Sequence, residues 1–438
     1  MKIVIPRSFI GIGRIVLLLF CVWNVSNAQY AESFIFGDPL PDAPELSARG
    51  EFKVGVRTLE FINEHQVDVL KSQNGVDPFY DRPLKVEIWY PALLNANEPE
   101  LVKYDQLMGQ FNDPKRPLIP FTFLGRARRE AMPIKTEGKF PLIIVSHGYT
   151  GSRLLFTYLT ENLASKGYVV VAIDHTESTF ADAAGFTSTL LNRAKDDLFI
   201  LNKIAELGNP DSKSFLSGIV DTDHTALIGY SMGGYGALNA AGAGYSKTAA
   251  ALFASFSGGS KSIEVRTTGH PDFLASVDQR IKAVVAFAPW GMERGVWDAE
   301  GLQGLKVPVF FVAGSQDDIS GYEKGIKAIY IGAVNADRYL LTYQNARHNI
   351  APNPPPPESL KAGLHFDEYY RYADPVWNEE RINNINQHFV TAFLGIHLKK
   401  KDFGRYLELS ENSNDQTWTG FKPRSSVGLE LLHAWPKQ

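Results

Sequence analysis

Gly229-Tyr230-Ser231-Met232-Gly233 sets a serine between two glycines in the G-x-S-x-G spacing. A serine hydroxyl becomes a useful nucleophile only when a sharp strand-to-helix turn holds it beside a base. The flanking glycines let two stretches of backbone approach where a Cβ would collide. By chance alone the pattern turns up in roughly one chain in six of this length, so its surroundings decide its meaning. Thr225-Ala226-Leu227-Ile228 reads as a short apolar strand before it, and Gly234 to Ala241 as a small-residue helix after it. Strand, turn and helix in that order favour Ser231 as a nucleophile over an ordinary loop serine.

Such a serine needs a base and a group to orient the base. The run Val307–Val312 leads into Gly314-Ser315-Gln316-Asp317-Asp318, which puts a carboxylate on the loop leaving a strand. The G-x-x-D spacing favours Asp317 as orienter; Asp318 is the alternative, and whichever is not used is a solvated turn acid. His348, in Arg347-His348-Asn349, is the only histidine between Asp317 and the run Pro354–Pro357, and is the expected base. The oxyanion of an acyl-transfer intermediate needs two backbone N–H groups. Met232, next to the serine, supplies one, and Tyr149, in Ser146-His147-Gly148-Tyr149, the other. His147 is expected to brace that loop. Trp290 and His175 are expected to line the substrate pocket, and Pro354–Pro357 to form a stiff turn bordering it. Asp174, His175 and Glu177 lack a companion ligand cluster, so no metal is expected, and the chemistry calls for no cofactor. His388 falls within a helix and reads as structural.

These groups require a scaffold that brings distant loops together. Val54–Phe61 and Leu84–Tyr90 read as strands. Residues 95–135 are polar and broken by prolines, and read as loops or an excursion over the surface. Leu142–Val145 and Tyr168–Ile173 are continuous apolar runs of the kind buried on both faces. Helices are expected over 152–165, 190–207 and 379–393, and further strands at Ile281–Phe287, Val307–Val312 and Tyr339–Thr342. Alternating strands and helices predict an α/β fold with a mainly parallel central sheet flanked by helices. The site then lies at the carboxyl ends of the strands. Residues 242–278, rich in Ser, Gly and Ala, are expected to form a lid or pocket-shaping loop.

The chain has 438 residues, is 44% hydrophobic and 12% aromatic, and carries a net charge of −4. That balance argues against a nucleic-acid surface. Lys2, Arg7 and Arg14, the apolar run Ile15–Trp23 and Ser26-Asn27-Ala28 read as a signal peptide over 1–28, with secreted or periplasmic location. The apolar run is too short to span a bilayer, so no integral span is expected after cleavage. The one cysteine, Cys21, lies inside it, and the mature chain would then have neither disulfide nor thiolate nucleophile. Residues 29–50 read as an irregular arm, 51–400 as the catalytic domain and 401–438 as a tail.

Pro141-Leu142-Ile143-Ile144-Val145-Ser146-His147-Gly148 resembles the oxyanion segment of the α/β-hydrolase superfamily. Within it the chain is similar to secreted predicted dienelactone hydrolases and to platelet-activating-factor acetylhydrolases. Lys85–Ala92, Tyr168–His175 and Gly229–Gly234, followed by Asp317 and His348, carry the likeness over roughly residues 50 to 400. The dienelactone hydrolases proper use a cysteine where this chain has Ser231. The resemblance implies an α/β-hydrolase fold and a serine hydrolase acting on a small-molecule or lipid ester through an acyl-enzyme. A peptidase or amidase on the same fold, or a non-catalytic binding protein, are the alternatives.

Overall fold

A computed structural model describes residues 35–95, 97–136 and 138–437; the expected signal peptide and Cys21 lie outside them. The strands are β1 (Lys53–Val67), β2 (Phe79–Leu93), β3 (Val102–Met108), β4 (Ile119–Gly125), β5 (Arg128–Arg129), β6 (Met132–Pro133), β7 (Phe140–Ser146), β8 (Val169–Asp174), β9 (Val220–Tyr230), β10 (Ile281–Phe287), β11 (Val309–Gly314), β12 (Arg338–Tyr343) and β13 (Leu429–Ala434). The helices that matter for the site are α1 (Thr157–Ser165), α2 (Phe186–Gly208), α3 (Met232–Ala240), α4 (Lys247–Phe256), α5 (Pro271–Ser276) and α6 (Glu379–Lys399). Residues Phe36–Gln438 form one compact unit.

Among the described residues the main sheet has eleven strands in the order β13-β12-β11-β10-β9-β7-β8-β2-β1-β5, with β6 on β2. β8, β7, β9, β10, β11 and β12 run parallel, while β2 and β13 join their neighbours antiparallel. The apolar runs explain the centre: all of β7 is buried, and Val169–Ile173 of β8 are at most 1% exposed. Each such Val, Ile or Leu contributes about 1.5–3 kcal/mol by leaving water. The chain goes from β7 outward to β8, then returns to the other side of β7 as β9. That reversal opens a crevice at the carboxyl ends of β7 and β9.

Three segments depart from expectation. Residues 95–135 are not all loop: β3 and β4 pair antiparallel as a separate hairpin. Residues 401–437, read as a tail, contribute to the sheet and the core. β13 extends the sheet beside β12, and Trp418 and Phe421 pack against Phe389 of α6. The stretch 242–278 folds into α4 and α5 and is tied down by the buried Arg266, which donates to Asn239 Oδ1 at 2.7 Å.

The described part of the arm, residues 35–50, is firmly bonded. Leu40 N–H donates to Asn384 Oδ1 at 2.8 Å and Leu46 N–H to His388 Nδ1 at 3.1 Å. Asn162 of α1 donates to the Ser47 carbonyl at 2.8 Å. These contacts offset the cost of burying Asn162 on α1. On the same helix Glu161 accepts from Tyr104 Oη of β3 at 2.6 Å and from the Arg126 amide at 2.7 Å, docking the hairpin.

Candidate active site

β9 ends at Tyr230 and α3 begins at Met232, so Ser231 alone makes the turn. Its backbone sits at φ 53°, ψ −113°, a left-handed φ that non-glycine residues adopt only where surroundings enforce it. The Ser231 N–H donates to the Phe287 carbonyl at 2.9 Å, and its own carbonyl accepts from Tyr235 and Trp290 amides at 3.0 and 3.2 Å. The two glycines of the motif have separate duties. A Cβ on Gly229 would stand 2.3 Å from the Gly233 carbonyl, so the turn doubles back on itself there; a Cβ on Gly233 would stand 1.9 Å from the Ser146 carbonyl at the end of β7. The second glycine thus allows the serine and the β7 loop to share one site.

His348 follows β12, and its Nδ1 lies 2.8 Å from Asp317 Oδ2. Asp317 Oδ1 accepts the amides of Ile319 and Ser320 at 2.9 and 2.8 Å. Burial by itself would raise this carboxyl; the adjacent imidazole and the two amides outweigh it and hold Asp317 below its ordinary range. Asp318 points elsewhere, exposed and paired with Arg347 at 2.5 Å. The His348 ring rests against that of Tyr230, 5.2 Å between centroids, and the Tyr230 hydroxyl donates to Asn349 Oδ1 at 3.0 Å.

The loop after β7 is braced from beneath. The Gly148 carbonyl accepts from His147 Nδ1 at 2.6 Å and from Arg193 Nη2 of α2 at 3.1 Å, and the His147 carbonyl from Arg193 Nη1 at 2.5 Å. In a trans peptide the carbonyl and the next N–H point opposite ways, so anchoring the Gly148 carbonyl to the interior turns the Tyr149 amide outward. Met232 is the first residue of α3, so its amide has no partner within the helix. The Tyr149 ring lies against Phe186, and its hydroxyl donates to the Ala184 carbonyl at 2.8 Å.

Ser231, His348, Gly148 and Tyr149 line one cavity of about 170 Å³. Phe180, Ile319, Pro352 and Arg371 complete much of its wall; nothing local in the sequence marks Phe180 or Arg371. A larger cavity of about 480 Å³ shares Phe180 with it but holds none of Ser231, Asp317 and His348. Its size therefore says nothing about the chemistry.

Two expected pocket residues sit elsewhere. His175 is fully buried, Nδ1 on Asp196 at 2.9 Å and Nε2 on Ser146 Oγ at 2.7 Å. Burial pushes it down to about 3, so it is a neutral strut beneath β7 rather than a substrate contact. Trp290 meets Ser231 through its backbone, while its ring packs on Phe186 and Tyr235 instead of lining the cavity. No residue of 242–278 lines it either; Pro352 and Arg371, from the segment after His348, do so. Asp174 and Glu177 bond to Arg153 and Arg82.

The family model described as "PETase: PET hydrolase-like" matches residues 130–269. Cutinase est1 of Thermobifida alba is 25% identical over 220 residues, 50% of this chain and 56% of its own length. The chain thus spans about half the length of such curated relatives. The platelet-activating factor acetylhydrolase of Cavia porcellus is 31% identical over 81 residues, 18% of this chain and 19% of its own. A solved ferulic acid esterase from Streptomyces cinnamoneus superposes with a TM-score of 0.54 at 18% identity, covering 89% of this chain and 99% of that one. At that identity the likeness is one of fold.

Proposed function

We propose, from the chain's membership of the α/β-hydrolase superfamily, that it is a serine-dependent carboxylic ester hydrolase. The observation that carries this reading is the cavity shared by Ser231 and His348, with His348 held by Asp317 at 2.8 Å. Ser231 Oγ attacks the ester carbonyl as His348 Nε2 takes its proton. Asp317 keeps the imidazole in the right tautomer and stabilises its charged form. The amides of Met232 and Tyr149 receive the oxyanion. Collapse expels the alcohol, which His348 protonates; water then attacks the acyl-enzyme and the acid leaves. A cavity of about 170 Å³ suits a short acyl group, in keeping with an acetylhydrolase-like subtype. The charged, apolar and small-residue segments of 1–28 support export of the mature chain.

The test is hydrolysis of p-nitrophenyl acetate, butyrate and octanoate by the mature chain and by Ser231→Ala, with fluorophosphonate labelling of both. Activity and labelling in the parent that vanish in the variant, with acetate or butyrate preferred, are the expected result. Equal activity in both removes Ser231 from the mechanism.

A further inference from the structure

The cavity that holds Ser231 and His348 contains a cation with no carboxylate in direct contact. Arg371 lines it, and no carboxylate does among the described residues. Arg371 Nη1 donates to Thr150 Oγ and Nη2 to Gln110 Oε1 at 3.4 Å, both neutral acceptors. Its guanidinium lies over the Phe180 ring, 5.1 Å from the centroid. The acids one turn away, Asp367 and Glu368, pair directly with Arg116 at 3.1 and 2.7 Å and reach Arg371 only by longer-range attraction. A guanidinium keeps its charge and carries five donors in a planar fork matched to a carboxylate. A partly buried arginine without an ion pair is costly unless something else meets it. Arg371 and Ser231 line the same cavity, so a carboxylate bound there would share it with the reacting serine.

We infer that Arg371 selects esters bearing a free carboxylate, on the acyl or the alcohol side, such as half-esters of dicarboxylic acids or esters of hydroxy acids. This rests on the ester-hydrolase reading for its kinetics but not for its binding. Neutral esters have no group for the fork, whereas a carboxylate gains a charge-assisted pair beside an aromatic face. Such pairs are worth about 10–100-fold in affinity.

The kinetic test uses two matched pairs: monomethyl succinate against methyl succinamate, and 4-acetoxybenzoate against 4-acetoxybenzamide. In at least one pair the parent chain is expected to show the higher kcat/KM for the anion, and Arg371→Gln to lower that ratio about 10–100-fold, chiefly through KM. Arg371→Lys is expected to fall between. Isothermal titration of benzoate and benzamide into the parent and Arg371→Gln needs no turnover, so it separates failure of this inference from failure of the hydrolase reading. Benzoate binding that Arg371→Gln weakens at least tenfold supports the inference even if neither ester pair is turned over. A ratio unchanged by Arg371→Gln, or benzoate binding equal in the two chains, overturns it.

Discussion

Asp317 and Asp318 are neighbours in sequence with opposite surroundings. One is buried against His348 and two amides; the other reaches into solvent toward Arg347. Asp317→Asn is expected to lower kcat about 10³–10⁴-fold by disturbing the tautomer of His348. Asp318→Asn, which breaks only an exposed pair, is expected to change it less than about twofold. Steady-state kinetics on the two variants checks both. The carboxyl of Asp317 titrates below its ordinary value of 3.8 in the folded chain. Its charge therefore stabilises the fold fully above that value, and the contribution disappears as pH falls through the depressed one. Urea melts should show the gap between the parent and Asp317→Asn closing only below about pH 4.

At the scale of elements, Glu161 joins α1 to the β3–β4 hairpin. Burial raises it from 4.5 to about 7, although Arg49 and its hydrogen bonds pull the other way. Between those values the folded chain binds a proton that the unfolded chain does not. Stability is therefore lost as pH rises from about 4.5 to about 7. Glu161→Gln, which cannot ionise, should gain on the parent over that interval, as urea denaturation at about pH 5 and pH 8 would register. The hairpin was hidden from sequence reading because β3 and β4 bury only scattered positions, so neither presents an unbroken apolar run. The parallel strands were legible because burial on both faces leaves an unbroken apolar run. The elbow was legible because its two steric conflicts fall within five residues. His175 was misplaced because the groups that capture it, Asp196 and Ser146, are 21 and 29 residues away. Arg371 lacked any local signal for the same reason: Thr150 lies 221 residues off.

Across the whole molecule, the last segment adds an edge to the sheet without giving a residue to the cavity. β13 covers β12, which leads to His348, and Trp418 and Phe421 close over Phe389. A chain ending at Lys400 should expose the β12 edge and this aromatic cluster. Loss of solubility and of p-nitrophenyl acetate hydrolysis together are the expected outcome, measured by soluble yield and assay. A soluble, active truncated chain would show the segment to be dispensable. The arm carries a different consequence, one of timing. Leu40 and Leu46 leave the ribosome 344 and 342 residues before the side chains of Asn384 and His388 that receive them. Nascent chains stalled before Trp418 should accordingly be cut readily by protease. The arm's bonds to α6 can close only after nearly the whole polypeptide has been made, long after its bond to Asn162 of α1 becomes possible.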